Sequence, residues 1–203
     1  MNRKTLVMAA MMGFILAALV IAIGCSSGLD PAKTIVQSAR ADSPAAHVRW
    51  DIVNVLPGSP PGGSASALAE NGTRITITGS GTFVAPAGGG GTSSATTGGG
   101  TWTVVTSGGI TLASGTYSVT GLVHWEEKGT FPLIPGGVGG LAILRVEFSD
   151  GTRGVLTVSC HAPSGSVLAV FEGITMAKEF LDFWNHGVAV AGVEGNRTLF
   201  QLE

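Results

Sequence analysis

The sequence predicts a mainly β protein, a single β-sandwich or small β-barrel domain of about ten strands with one α-helix in its C-terminal half. Three observations point there. Glycine accounts for 32 of 203 residues while charged residues make up only 12%, a composition suited to short strands joined by tight turns. Leu141 to Cys160 reads as two alternating strands around one turn signal, Asp150-Gly151. Only one segment, Met176 to His186, shifts clearly to helical spacing.

The Leu141 to Cys160 stretch is the organising element, and its register can be argued from side chains. A two-residue turn at Asp150-Gly151 would set Phe148 against Arg153 and Leu144 against Thr157, mixing polar and apolar side chains on both faces. A three-residue loop, Ser149-Asp150-Gly151, places Ala142, Leu144, Val146 and Phe148 on one face with Leu156 and Val158. The other face then pairs Glu147 with Arg153, and Gly151 takes the left-handed position. This register is the expected one.

From the N-terminus, Arg3 and Lys4 precede an apolar run, Leu6 to Gly24, that carries no charge and ends at Cys25. That is the pattern of an export signal. Ala22-Ile23-Gly24-Cys25 resembles the lipobox of bacterial lipoprotein signal peptides, although Ala22 stands where that family more often has leucine. The resemblance implies cleavage before Cys25, acylation of its sulfur and new amino terminus (palmitate-type lipidation), and a membrane-anchored location in the cell envelope. Two alternatives are an uncleaved anchor, since the run is long enough to cross a bilayer, and plain secretion after Ala39-Arg40-Ala41. All three place the body outside the cytoplasmic membrane. The expected organisation is 1–24 as signal peptide or membrane anchor, 25–46 as flexible tether with Pro31 and Pro44, and 47–203 as one β-rich domain.

Along the domain, Val48, Trp50 and Ile52 alternate with Arg49 and Asp51 as a first strand. Ala65 to Ala69, Asn71-Gly72 and Thr73 to Thr78 form a hairpin, and Thr82 to Val84 another strand. Pro86 to Gly100 has no large side chain and reads as a mobile loop. Trp102 to Val105 and Ile110 to Leu112 precede a long strand in which Tyr117, Val119, Gly121, Val123 and Trp125 share one face. Lys128 to Gly140, with Pro132 and Pro135, reads as a second irregular loop. After the central hairpin come a strand at Val167 to Phe171 and the helix, with Thr175 as N-cap, Gly187 as C′ and Met176, Ala177, Phe180, Leu181 and Trp184 on its apolar stripe. Short strands at Val188 to Ala191 and Thr198 to Leu202 close the chain.

The runs SGTYSVTGLVHW, FSDGTRGVLTVSCH, FEGITMAKEFLDFWN and NRTLF resemble segments of an exported bacterial β-protein family with no assigned activity. The resemblance implies a shared exported fold and transfers no catalytic residue.

Charge narrows the partners. Of 11 Lys and Arg, removal of Arg3 and Lys4 with the signal leaves 9 against 13 Asp and Glu, a net −4. Phosphate recognition draws on clustered cations that this body lacks, so nucleic acid is disfavoured. If Cys25 carries lipid, Cys160 has no intramolecular partner and reads as a buried, inert thiol. His124 and Glu126, two apart on one strand, share a face and offer an imidazole and a carboxylate. Two ligands do not make a metal site, and a solvated face is the simpler reading. His161 would activate Cys160 only if the strand breaks between them, since adjacent strand residues point to opposite faces. Phe180, Phe183 and Trp184 are candidates for a ligand platform, but at helical spacing they read first as core. No serine elbow and no phosphate loop is present in the sequence, and no cofactor is implied.

The sequence therefore favours an envelope-anchored, non-enzymatic binding or structural domain, lipidated at Cys25, whose partners are the membrane and an envelope protein or small-molecule ligand. The alternative is a small enzyme or ligand carrier with a site in or at the mouth of a barrel, using His124, Glu126 and His161.

Overall fold

The computed structural model describes residues 45–53, 62–86, 91–132, 134–161, 171–186 and 196–203. Among them run twelve strands: β1 Ala46–Val53, β2 Ala65–Leu68, β3 Arg74–Ile77, β4 Ser80–Ala85, β5 Thr96–Val105, β6 Thr111–Thr130, β7 Gly137–Phe148, β8 Arg153–Cys160, β9 Gly173–Lys178, β10 Leu181–Phe183, β11 Asn185–His186 and β12 Arg197–Leu202. The expected leader, the tether up to residue 44 and the strands at Val167 to Phe171 and Val188 to Ala191 lie outside the described residues or, for Phe171, outside the described strands, and Ala46, expected in the tether, already belongs to β1.

Six strands close on themselves in the order β7-β12-β1-β4-β5-β6, each antiparallel to its neighbours. The architecture is therefore a closed barrel with additional strands. Two strands make the extension possible by serving two neighbours along one edge. β5 pairs β4 through Thr96 to Gly99 and β3 through Trp102 to Val105. β7 pairs β12 at Gly137 and Val138, then β8 from Gly140 to Glu147. Beyond these strands the sheet continues as β3-β2-β11 on one side and β8-β9-β10 on the other.

Alternation carries one apolar face around the whole sheet. Val48, Trp50, Phe83 and Phe200 fill the barrel with Trp125, whose ring lies 5.3 Å from Phe83 and 4.7 Å from Phe200 between centroids. Leu144, Leu156, Ile174, Ile75 and Trp102 continue the same core under the extension. Tyr117, otherwise buried, donates its hydroxyl proton to the Thr78 carbonyl at 2.9 Å, which satisfies its one polar atom.

The central hairpin has the expected register: Glu147 pairs Arg153, Val146 pairs Gly154 and Leu144 pairs Leu156. Gly151 sits at φ 85°, and its N–H donates to the Phe148 carbonyl at 2.9 Å. The β2–β3 hairpin and the closing strand β12 also stand where the sequence places them.

Four expectations are corrected. The helix over Met176 to His186 does not form; β9 and β10 make a hairpin there, turning at Glu179 and Phe180 with Glu179 at φ 55°. Ile174 and Met176 are buried and alternate with half-buried Thr175 and Ala177, so strand period wins over the helical stripe. Pro86 to Gly100 is not all loop, because Thr96 to Gly100 forms the first half of β5. Small residues are required there: a Cβ built on Gly100 would sit 2.0 Å from the Thr78 carbonyl oxygen, and one on Gly98 2.4 Å from that of Ser80. The Lys128 to Gly140 loop is shorter than expected, with β6 running to Thr130 and β7 starting at Gly137. Finally, Thr120, Val123 and Lys128 are skipped in the β6–β7 register. Each such bulge reverses which residues face inward, so Leu122 takes the core position in place of Val123.

Strand alternation also fixes a polarity. The turns of the β2–β3, β5–β6, β7–β8 and β9–β10 hairpins all lie at one end of the sheet. β1 begins at the other end, where Ala46 pairs Ala85 beyond the start of β5.

Candidate functional site

The residues singled out in the sequence are only partly brought together. Beyond the bulge at Val123, His124 and Glu126 share the outer face of β6, with His124 Nε2 4.0 Å from Glu126 Oε2. That is too long for a hydrogen bond. Glu126 is instead held by the ammonium of Lys128. His161 does not join them through any described contact: it is exposed after β8, and its backbone N–H donates to Glu172 Oε2 at 2.8 Å. No group of three metal-ligating side chains occurs among the described residues. Cys160 is buried and donates its thiol proton to the Thr198 carbonyl at 3.2 Å. Burial, with a smaller contribution from the charge of Glu172, pushes that thiol up to about 12, which leaves no thiolate for nucleophilic work.

Glu172 is a residue the sequence reading passed over. Its two carboxylate oxygens accept the N–H groups of His161 and of Thr198, each at 2.8 Å, and so join the end of β8 to β12. Burial raises its pKa, while those N–H groups oppose the rise. A single acid inside the apolar stretch Ala169 to Ile174 is the available signal for such a half-buried tie.

A cavity of about 760 Å³ is lined by Arg49 and Asp51 together with five glycines, Gly62, Gly63, Gly79, Gly99 and Gly100, and Thr78 and Ser80 among others. Its charged pair is internally satisfied. Arg49 Nε and Nη2 donate to the two oxygens of Asp51 at 2.7 and 3.0 Å, leaving little for a ligand to recognise.

A different surface is less committed. On the outer face of the extension, Val155 and Thr157 of β8 pair with Ala177 and Thr175 of β9, and Ala177 pairs with Asp182 of β10. With the Trp184 indole at one side they line an open groove of about 380 Å³. Trp184 is 70% exposed and Phe180 fully exposed, and Leu181 is also open to solvent. Phe183 alone of these aromatic residues turns into the core. A second groove of about 500 Å³ adjoins through Val155 and is bordered by Arg145, Glu147 and Arg153.

The hairpin that presents this surface is firmly held. Lys178 Nζ donates to Asp150 Oδ2 at 2.6 Å and to Thr152 Oγ1 at 2.7 Å, and lies 4.7 and 4.8 Å from the ring centres of Trp102 and Phe148. These contacts fasten β9 to the central hairpin. Exposed aromatic side chains thus project from a rigid mount.

A scan against protein-family models, a search of curated proteins and a search of solved structures each find no match. What the surface can do follows from its own chemistry: it can hold a ligand by apolar contact and hydrogen bonds, and it brings together no acid–base pair.

Proposed function

We propose that this chain is a non-enzymatic binding domain held outside the cytoplasmic membrane by lipid on Cys25, and that it meets its partner through the outer face of β8, β9 and β10. One observation carries the reading: Trp184, 70% exposed, stands with exposed Val155 at the open groove of the outer face, on a hairpin anchored through Lys178. Exposed apolar clusters of this kind mark interaction surfaces. The polarity of the fold supports it. β1 starts at the end where Ala46 lies, so the β9–β10 turn is at the end of the sheet farther from the point where the tether joins the domain. The net −4 of the body argues against nucleic acid as the partner.

The rival reading, a small enzyme or ligand carrier using His124, Glu126 and His161, is less well supported. Lys128 already engages Glu126, and the barrel interior is filled by aromatic rings.

Two measurements test the proposal. Cells fed a fatty-acid analogue are expected to label the wild type and not Cys25→Ala; equal labelling would remove the lipid anchor. A photo-cross-linking side chain at position 177 is expected to form adducts in intact envelopes, whereas one at exposed position 113 is not. Adducts at 113 alone would move the contact face elsewhere.

A further inference from the structure

The lining of the groove narrows the ligand class. Its floor has one strip of hydrogen-bonding groups, Thr157 and Thr175 facing each other across β8 and β9, with the Asp182 carboxylate beside them. Within the described residues none of these three side chains takes part in a hydrogen bond or ion pair, in contrast to Asp150, Thr152 and Lys178 close by, which bind one another. Next to that strip lie apolar side chains, Val155, Ala177 and the exposed Trp184, with Met176 and Phe183 also in the lining. A ligand that carries hydroxyl groups around an apolar, flat-sided body satisfies both.

We infer that the groove binds a saccharide chain, with one pyranose ring stacked on Trp184 and its hydroxyl groups bonded to Thr157, Thr175 and Asp182. A pyranose ring offers C–H groups on its face and O–H groups at its rim. The indole accepts the first through its electron-rich face. Threonine hydroxyls donate and accept, and the carboxylate accepts O–H bonds from a sugar diol. The volume of about 380 Å³ is at the small end for ligand sites, and the groove is open where it meets the one beside Arg145 and Arg153, so a longer chain can continue past the stacked ring.

Other occupants fit less well. A lipid tail calls for a wholly apolar cavity, whereas Thr157, Thr175 and Asp182 interrupt the apolar lining of this open groove. An extended peptide adding to the sheet edge finds only the three residues of β10, Leu181–Phe183.

The inference rests on the binding-face reading above, and its test separates the two. The full chain in detergent micelles is titrated with cellohexaose and with N-acetylchitohexaose, which distinguish a plain glucan from an N-acetylated glycan. Binding of at least one is expected. Trp184→Ala should weaken it on the order of tenfold or more, the scale set by loss of an aromatic stacking partner. Trp184→Phe should retain most of the affinity, and Thr157→Val or Thr175→Val should each cost about three- to tenfold. Unchanged thermal melting of the variants would show that the fold is intact. No binding of either hexasaccharide at millimolar concentration, or equal binding by Trp184→Ala, overturns the inference. If position 177 still cross-links in envelopes under those circumstances, the face stands and its occupant is not a saccharide. Adducts that protease removes and periodate leaves would identify a protein there and also overturn the inference.

Discussion

Glu147 of β7 stands opposite Arg153 of β8, and this one pairing sets the inward face of the central hairpin. It follows from the three-residue loop in which Gly151 holds φ 85°. A Cβ at position 151 would meet nothing within 4 Å, so any penalty there comes from backbone conformation alone. Gly151→Val is expected to cost about 1 to 3 kcal/mol. Glu147→Ala, on the exposed face, should cost on the order of 0.2 to 1 kcal/mol, and Leu144→Ala, fully buried, about 2 to 5 kcal/mol. Urea unfolding of the three variants checks the order.

Gly100 separates a strand from a loop. In a loop, Gly100→Ala would be neutral or stabilising by about 0.4 to 1 kcal/mol. Where the Cβ would lie 2.0 Å from the Thr78 carbonyl oxygen, the same change should destabilise by about 1 to 3 kcal/mol or more. The sign of the shift in urea midpoint decides.

Asp150 gives the central hairpin an acid-sensitive tie. Its hydrogen bond from Lys178, and then that from Thr152, lower the carboxyl from its ordinary 3.8 to about 2. A depressed folded-state pKa means that the contribution is present above the ordinary range and fades as pH falls from about 4 toward 2. The effect is small because the Asp150 side chain is 39% exposed. Asp150→Asn should lower the melting temperature slightly at pH 7, with the difference from wild type shrinking below pH 4.

Cys160 should resist alkylation. With the thiol buried and pushed up to about 12, iodoacetamide at pH 8 is expected to leave it unmodified in the folded chain and to label it once urea unfolds the protein. Rapid labelling under native conditions would place the sulfur at the surface.

The legible parts of the fold were those where burial and alternation agree. Leu144, Val146 and Phe148 against Leu156 and Val158 leave one register, and Gly151 confirms the loop that goes with it. Thr96 to Gly100 escaped because this half-strand is held by close backbone approach and buries no large side chain. Met176, Phe180, Leu181 and Trp184 misled for the opposite reason. Their spacing is that of a helical stripe, but three of the four face solvent, and an exposed apolar residue carries no sign distinguishing it from core. The turn at Glu179 adds to the difficulty, since φ 55° in a glutamate has no sequence signal. The two-residue spacing of His124 and Glu126 puts them on one face of β6. Thr157, Thr175 and Asp182 come together only through pairing of three strands, which no local pattern encodes.

The most direct test of the binding face is hydroxyl-radical footprinting of the purified chain against the same chain in intact envelopes. Labelling of Trp184, Phe180 and Leu181, all open to solvent in the free domain, is predicted to fall several-fold in envelopes, while Ile110 and Leu112 on the β5–β6 hairpin and His124 on β6 keep theirs. Unchanged labelling of Trp184 together with protection at His124 would contradict the account and return the site to the outer face of β6.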